Sequence, residues 1–296
     1  MEEKLKEFEE YRVKVCKKAN IYLFVGIALV VSGLLLVLLT ELPIFVLFVI
    51  AGFIFIGISS NMKSKLSKEF KQKFIVNLVK EMYPNCIYNP NVGIHLEALL
   101  QPGFFARPDR WFLEDYLKAS YDDVEFEMCD FTFQERHVTT DSKGNRRVTY
   151  VTYAQGRYMI FDFKREFNQI LKVVENAYLG LNSRGLEKIE TESIEFNKKF
   201  KTYTSNALTA FYVLTPQIQL KLLELESKFK GSIYFAYMRG KLYVAIADGV
   251  SILDINASKK ISLDTLKYLE SQLNLPASII NELGLSDPKF ATGEAI

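Results

Sequence analysis

Two charge-free apolar stretches lie back to back near the N-terminus and constrain this chain more than any other feature. The first covers residues 21–39 and the second covers residues 42–58, and only Thr40 and Glu41 separate them. Each approaches the ~20 residues that a helix needs to cross the hydrocarbon core of a bilayer. Because a backbone in lipid must satisfy its own hydrogen bonds, we expect both stretches to be helices. The sequence therefore predicts a transmembrane helical hairpin over residues 21–59.

Basic residues flank this hairpin at its outer ends, whereas the connecting turn carries a single acid, Glu41, and no base. The flanking bases are Arg12, Lys14, Lys17 and Lys18 before it and Lys63, Lys65, Lys68, Lys71 and Lys73 after it. Lys and Arg are retained on the cytoplasmic side of a membrane, so both termini and the remaining chain are expected there. A cleaved signal peptide is the competing interpretation. It fits poorly, because the apolar run is long, has no A-x-A-like cleavage site and is followed at once by a second span.

Composition agrees with a globular region attached to a membrane. Hydrophobic residues make up 49% of the 296 residues, charged residues make up 24%, and the net charge is +2. The chain therefore has no strong overall positive charge of the kind that would indicate a nucleic-acid partner. The three cysteines, Cys16, Cys86 and Cys129, show no C-x-x-C spacing, so we predict neither a disulfide framework nor a zinc site.

An amphipathic helix is expected on each side of the hairpin. Residues 1–20 bring Leu5 and Phe8 near one face, and residues 60–83 repeat apolar side chains every four positions, including Phe70 and Phe74. The two helices could pack together as a stalk. Equally, each stripe could dock on the soluble region or on the membrane surface.

Prolines and asparagines from Pro84 to Asn91 mark the entry into a larger region, residues 84–285, followed by a weakly patterned tail, residues 286–296. Strand-rich and helix-rich segments alternate there without a regular βαβ period, which predicts a cytoplasmic α+β domain with an antiparallel sheet. The region could form one domain or two subdomains, near 84–185 and 186–285.

Two hairpins are expected in this domain. The first joins residues 124–133 to residues 148–163 around a polar tip at 141–145, with a bulge near Met128 and a bulge or break at Gly156. The second joins residues 232–238 to residues 241–247. The predicted helices cover residues 94–100, 111–119, 168–178, 208–229 with a break at Thr215, 263–273 and 277–283.

Several blocks of the chain resemble a known family. They are Gly156-Arg157-Tyr158-Met159-Ile160-Phe161-Asp162-Phe163, Ile194-Glu195-Phe196-Asn197-Lys198-Lys199-Phe200, Ala210-Phe211-Tyr212-Val213-Leu214-Thr215-Pro216 and Lys241-Leu242-Tyr243-Val244-Ala245-Ile246. In this order, after an N-terminal two-helix hairpin, they are similar to a family of bacterial membrane-anchored proteins, the domain of unknown function thirty-one thirty-seven. The resemblance implies a bacterial cytoplasmic (inner) membrane location. It brings no catalytic or binding residues with it.

Three residues are weak candidates for catalysis. Asp130 and Asp162 each interrupt an aromatic strand, where a charge must be paired or hydrated. His137 lies beside Glu135 on a predicted hairpin arm, but no H-E-x-x-H or comparable spacing accompanies it. Ordinary strand ends and surface positions explain all three residues equally well, so no catalytic residue is assigned.

An acidic cluster at Asp122, Asp123, Glu125 and Glu127 resembles a cation or acid–base site in composition alone. Apolar alternation between these residues favours the solvated face of a strand. Glycine-rich phosphate loops and the G-x-S-x-G elbow are missing from the sequence. The sequence therefore predicts no metal and no cofactor.

The remaining functional signal is electrostatic and concerns the bilayer. Lys63, Lys65, Lys68, Lys71 and Lys73 directly follow the second span, where each base gains about 1 kcal/mol from anionic lipid headgroups. Small residues in the spans also suit tight helix packing or self-association. We expect a membrane-anchored binding, scaffold or sensor protein with another protein, or a second copy, as partner. The alternative is a membrane-tethered enzyme with an unrecognised acidic site.

Overall fold

A computed structural model describes residues 2–162, 169–175, 181–251, 253 and 255–286. The chain divides into two compact units. The first unit consists of Met1–Leu78 together with Leu253–Ser271, and the second consists of Val79–Ile252 together with Gln272–Ile296.

The first unit is built on two long apolar helices. Helix α1 covers Glu2–Thr40 and α2 covers Val46–Phe70, with a short 3-10 turn at Pro43–Phe45 between them. A π-helical segment, Lys71–Ile75, then leads into α3, Val76–Met82. At ~1.5 Å per residue, the 39 residues of α1 extend roughly 58 Å, about twice the ~30 Å hydrocarbon core. The stalk segment and the first apolar stretch are thus one continuous helix.

Both apolar segments are long and hydrophobic enough to cross a membrane, and only 11% of each apolar window is buried. The apolar side chains therefore face outward, unlike those of a core helix in a water-soluble domain. Gly26 and Gly52 allow the two helices to approach closely, because a Cβ on Gly26 would lie 2.8 Å from the Gly52 carbonyl oxygen. Gly57, by contrast, has open space around it.

The polar end of the first unit has its own core. The Phe8 ring lies 5.7 Å from Phe70 and 5.3 Å from Phe74, between ring centroids. The expected pairing of the two amphipathic stripes is therefore present as a stalk. The C-terminal segment Leu253–Ser271 packs against it: Ala257 O accepts hydrogen bonds from Arg12 at 2.8 Å and from the Cys16 thiol at 3.0 Å.

The second unit contains a nine-stranded antiparallel sheet with the order β1-β2-β3-β4-β9-β8-β5-β7-β6. The strands are β1 Ile87–Asn89, β2 Arg110–Tyr121, β3 Val124–Thr140, β4 Arg146–Asp162, β5 Leu171–Glu175, β6 Glu187–Ile189, β7 Phe200–Thr204, β8 Ser232–Met238 and β9 Lys241–Ala247. The helices of this unit are α4 Leu96–Leu100, α5 Ile194–Lys199, α6 Ala207–Val213, α7 Pro216–Ser227 and α9 Leu275–Leu283, whereas α8, Leu263–Leu273, belongs to the first unit as far as Ser271. The expected fold class, two apolar N-terminal helices followed by an α+β region with an antiparallel sheet, is confirmed.

Both faces of the central strands are covered. The Tyr158 face carries Cys129, Phe131 and Tyr243, which form one core with α4 and with Phe104. The Arg157 face carries Phe126, against which the Tyr83 ring lies at 5.2 Å between centroids, and α9 contacts β3. Because side chains alternate along a strand, apolar residues at consecutive positions here reflect burial on both sides.

The bulge expected in β3 near Met128 is not found there, because burial on both faces explains the apolar residues at consecutive positions. The register between β3 and β4 is continuous from Phe126 to Phe133, and Gly156 pairs with Phe131 without a break. One register shift lies in β2, between Glu114 and Leu117, where Asp115 adopts a positive φ of 60°. Another lies between β3 and β4 after Phe133, where Tyr153 is the extra residue of β4. Residues 111–119, expected to be helical, therefore belong to β2. Similarly, Leu171–Glu175 forms β5 rather than a helix, and the rest of that prediction, at 168 and 176–178, lies outside the described residues.

Candidate functional site

An open groove of about 710 Å³ lies beside helices α5, α6 and α7 in the second unit. Its lining residues are Glu190, Thr191, Glu192, Ser193, Phe211, Leu214, Pro216, Gln219 and Leu220. One wall is therefore polar and acidic, and the other is apolar. Among the described residues, the two glutamates are the only charged members of the lining.

Local sequence signals place the three helices around this groove. Ser193 accepts a hydrogen bond from Phe196 N at 3.2 Å and begins α5, and Asn206 does the same for α6 with Thr209 N at 3.2 Å. Thr215 caps α7 through Ile218 N at 3.4 Å, and Pro216 occupies the first position of that helix. These caps satisfy N–H groups that a helix start leaves free. The predicted break at Thr215 is confirmed, and it turns the chain along the groove.

A buried polar network fixes the groove floor. The Thr191 hydroxyl donates to Gln219 Oε1 at 2.9 Å, and Gln219 Nε2 donates to Leu214 O at 2.8 Å. Asn197 supports Thr191 from behind, because its Oδ1 accepts from Thr191 N at 2.9 Å and its Nδ2 donates to Thr191 O at 2.6 Å. Buried polar groups that are fully hydrogen-bonded hold a single geometry, so this floor is preformed.

The apolar rim of the groove is open to solvent. Leu220 is 58% exposed and Leu208, one turn before the Phe211 wall, is 83% exposed. Ile194, Phe211 and Tyr212 are exposed as well. The exposed apolar side chains Phe211 and Leu220 thus line the groove, and Ile194, Leu208 and Tyr212 are exposed on the same helices α5 and α6 beside it.

The three candidate catalytic residues lie apart. Asp130 is buried on the Arg157 face, directly opposite Arg157 in the register of β3 and β4. Asp162 is exposed at the end of β4 and, five positions beyond Arg157, points to the other face. His137 is exposed and lies seven positions along β3 from Asp130, which is roughly 23 Å at ~3.3 Å per residue. Its Nε2 is 2.8 Å from Glu135 Oε1. None of the three lines the groove.

The acidic cluster is explained by hairpin geometry. Asp122 and Asp123 have φ angles of 48° and 61° and form the two-residue turn between β2 and β3. Turns of this kind require positive φ at both central positions, which aspartate tolerates. Lys118 lies 3.9 Å from Glu125 and 3.8 Å from Glu127. Among the described residues, no group of three or more His, Cys, Asp or Glu side chains is placed to hold a metal ion.

Arg157 forms a buried polar cluster that the sequence did not reveal. Its guanidinium makes an ion pair with Asp248 and donates to Gln272 Oε1, and it lies 5.4 Å from the centre of the Phe229 ring. A guanidinium removed from water requires such partners, because an unpaired buried charge is strongly destabilising. The cluster joins β4 to the end of β9 and to Gln272, and it has the character of a structural tie.

The five juxtamembrane lysines belong to the first unit and differ in exposure. Lys65, Lys68 and Lys73 are exposed and Lys63 is half-buried, whereas Lys71 is only 5% exposed. The Lys73 ammonium also lies 5.8 Å from the centre of the Phe8 ring. Lys71 is therefore less accessible than the other four lysines, and contact of the five with lipid stays a prediction.

The second unit is thus an α+β domain with an open groove whose floor is fixed by hydrogen bonds, in a chain that also carries two apolar helices of membrane-spanning length. Residues 152–285 match the family described as protein of unknown function (DUF3137). The resemblance seen in the sequence is thus confirmed over these residues, which include the whole groove. Among solved structures, the crystal structure of the mycobacterial trehalose monomycolate transport factor A, TtfA, is similar with a TM-score of 0.38 and 8% identity, over 70% of this chain and 93% of that chain. Comparison with curated proteins gives no significant match.

Proposed function

We propose that this protein is a membrane-anchored scaffold, adaptor or sensor whose groove binds a segment of another protein. The groove carries the proposal, because it combines a preformed floor with an apolar rim left open to solvent. The charged residues that the structure describes in its lining are Glu190 and Glu192. Charge complementarity therefore favours a partner segment that presents a basic side chain next to apolar ones.

The apolar helices support a membrane location, and the basic flanks support an orientation within it. We place the protein in the bacterial cytoplasmic (inner) membrane, with both termini and the α+β unit on the cytoplasmic side. Lys63, Lys65, Lys68 and Lys73 then contact anionic headgroups, and the bilayer takes part in orienting the chain. Self-association through the hairpin is a further proposal, for which Gly57 offers an unoccupied small-residue position.

The enzyme alternative has less support. An acidic active site requires titratable residues that share a pocket. Asp130 and Asp162 lie on opposite faces of the sheet, and neither lines the groove. The carboxylates that do line it, Glu190 and Glu192, are exposed on its polar wall.

Site-specific photocrosslinking in native membranes tests the groove. A photoreactive residue replaces Leu220 in the full chain, and the crosslinked protein is identified by mass spectrometry. The Glu190→Lys/Glu192→Lys variant should abolish that crosslink, because it reverses both charges of the lining. The matched control is Glu187→Lys, which reverses one exposed charge on β6 outside the groove and should leave the crosslink unchanged.

Two results would overturn the proposal. One is the absence of a specific protein crosslinked from Leu220. The other is a crosslink that survives the double reversal unchanged, which would mean that the groove charges do not select the partner.

A further inference from the structure

The hairpin of β3 and β4 projects beyond the rest of the sheet as a two-stranded ribbon. We define the β-arm as residues 134–140 of β3 and 146–152 of β4. Pairing between β4 and β9 begins only at Arg157, so within the described chain the arm of β4 is paired on one side alone. Gln134 is the last β3 residue that pairs with β2, through Arg110. Beyond that point both faces of the ribbon are open.

The two faces of the β-arm have different chemistry. Directly paired residues share a face, so Arg136 with Tyr150, Val138 with Val148 and Thr140 with Arg146 lie on the Arg157 face. At the root, Arg110 and Phe112 of β2 lie on the same side. This face therefore carries three arginines and four large apolar side chains, and all seven are exposed: Arg110, Arg136, Arg146, Phe112, Val138, Val148 and Tyr150. The opposite face carries the Glu135–His137 pair and one basic residue, Arg147.

Contacts at the root and at the tip of the β-arm keep this face in place. The Arg110 guanidinium lies 4.7 Å from the centre of the Phe112 ring and 5.4 Å from that of Tyr150, which holds it between two aromatic rings. The tip is tied by Asp141, whose carboxylate accepts from Lys143 N at 2.9 Å and from Asn145 N at 2.8 Å. Asp109 at the root accepts a hydrogen bond from Arg136 N at 2.8 Å.

We propose that the Arg157 face of the β-arm is a second membrane contact, which binds the surface of an anionic bilayer. Arginines attract anionic headgroups, while tyrosine, phenylalanine and valine suit the boundary between headgroups and acyl chains. Ten arm and root positions share this face, and none of them is acidic: Arg110, Phe112, Gln134, Arg136, Val138, Thr140, Arg146, Val148, Tyr150 and Thr152.

A bilayer is favoured over a soluble acidic partner by the rest of the chain. The two apolar helices tether the β-arm covalently to any membrane that they enter, so the surface is present at a high effective concentration. The inference stands independently of the groove, whose residues lie on other elements.

Tryptophan fluorescence in proteoliposomes tests this contact. Trp111 is the only tryptophan of the chain, so the Trp111→Phe/Tyr150→Trp variant places a single reporter on the proposed face. The full-length variant is reconstituted into phosphatidylcholine vesicles with and without 30% phosphatidylglycerol, with brominated phosphatidylcholine as quencher. Quenching should be strong only with the anionic lipid and should fall in high salt.

Charge removal on the two faces provides the matched comparison. The first triple variant, made in the reporter background, is Arg110→Gln/Arg136→Gln/Arg146→Gln. It should reduce the ratio of membrane-bound, quenched β-arm to unbound, unquenched β-arm roughly tenfold or more. The control Lys143→Gln/Arg147→Gln/Arg184→Gln removes the same charge from exposed positions off that face and should preserve most of the quenching. Far-ultraviolet circular dichroism checks that each variant keeps its fold, and the lysines after the second span are unchanged throughout.

Three outcomes would overturn the proposal. They are equal quenching with and without phosphatidylglycerol, quenching insensitive to salt, and equal effects of the two triple variants. Loss of a groove crosslink has no bearing on these measurements, so the two proposals fail separately.

Discussion

A single glycine allows β4 and β9 to begin their pairing at the centre of the sheet. A Cβ on Gly156 would lie 1.9 Å from the Ile246 carbonyl oxygen, a distance that no side chain can adopt without moving the backbone. We expect Gly156→Ala to lower the free energy of unfolding of the second unit by about 3 kcal/mol, the upper end of overpacking costs. Chemical denaturation of the detergent-solubilised chain measures this free energy of unfolding. Gly144→Ala, at a tip position with open space around it, should cost only about 1 kcal/mol.

Glu9 makes the stalk sensitive to acid. Hydrogen bonds from Arg12, and a further one from Ile261 N at 3.1 Å, hold the pKa of the Glu9 carboxyl below its ordinary value of 4.5. Because the folded state binds this proton more weakly than the unfolded state, the stabilisation is complete above pH 4.5 and is lost as the pH falls through the folded value.

The corresponding measurement is the melting temperature of the full chain between pH 7 and pH 3. Wild type should lose stability below pH 4.5 more steeply than Glu9→Gln, which has no carboxyl to titrate. At pH 7 the variant should already be less stable, since Arg12 is left without its anion. Parallel profiles for the two proteins would show that this pair does not couple the stalk to pH.

At the scale of the elements, the stalk core rests on Phe70, which is fully buried and stacks on Phe74 with ring centroids 5.1 Å apart. Phe70→Ala should lower the stability of the first unit by about 3–5 kcal/mol, because it leaves a cavity between the helices. Thermal melting of the detergent-purified chain reports the loss. Val13→Ala, at a largely exposed position of α1, should change it by less than about 0.5 kcal/mol. An unaltered melt for Phe70→Ala would contradict the packing of the two helices.

Elements with one clean periodicity could be read from the sequence. The hairpin of β8 and β9 and helix α8 have the predicted bounds, because strict turn chemistry at Arg239 and Gly240 and a regular apolar stripe define them. Strand β2 could not be read in this way. Its bulge at Asp115 adds a residue, so Leu113 and Leu117 lie on opposite faces of the sheet although they are four positions apart. The alternation typical of a strand is thereby broken, and the spacing of the two leucines mimics a helix. The short buried strand β5 has no alternation to distinguish it from helix.

The candidate site was still less accessible to sequence reasoning. The block from Ala210 to Pro216 predicts a helix break at Thr215 and carries a family resemblance, but neither signal indicates a groove. Which of its aromatic residues remain exposed depends on how α6 and α7 pack, and that is a tertiary property. Arg157 gave no signal either, because its partner Asp248 lies 91 residues away along the chain.

At the scale of the whole molecule, the proposed orientation predicts how the chain is labelled from outside an intact cell. In a background without Cys16, Cys86 and Cys129, a cysteine at Glu41 should react with an impermeant maleimide. Cysteines at Lys17 and Lys143 should react only after the cells are opened. Reaction at Lys143 in intact cells would reverse the orientation of the α+β unit.

The exposed juxtamembrane lysines predict which lipids copurify with the chain. Lys63→Gln/Lys65→Gln/Lys68→Gln leaves the N-terminal bases to direct insertion, yet it should reduce the salt-sensitive enrichment of anionic lipid, at about 1 kcal/mol per charge removed. The matched control is Lys198→Gln/Lys201→Gln/Lys230→Gln, which alters exposed lysines of the second unit. Equal lipid profiles for the two triple variants would mean that these lysines direct topology alone.

The contact between the stalk and the C-terminal segment also sets an order of events during synthesis. Arg12 and Cys16 leave the ribosome well before their acceptor, Ala257 O, which is made about 245 residues after Arg12. At ~5–20 residues per second, the delay is roughly 12–50 s, which is ample for the two apolar helices to form beforehand. A chain released before residue 257 would retain these helices but leave the two donors uncovered. Closure of the stalk is therefore a late step of folding, and it distinguishes chains that contain residue 257 from shorter ones.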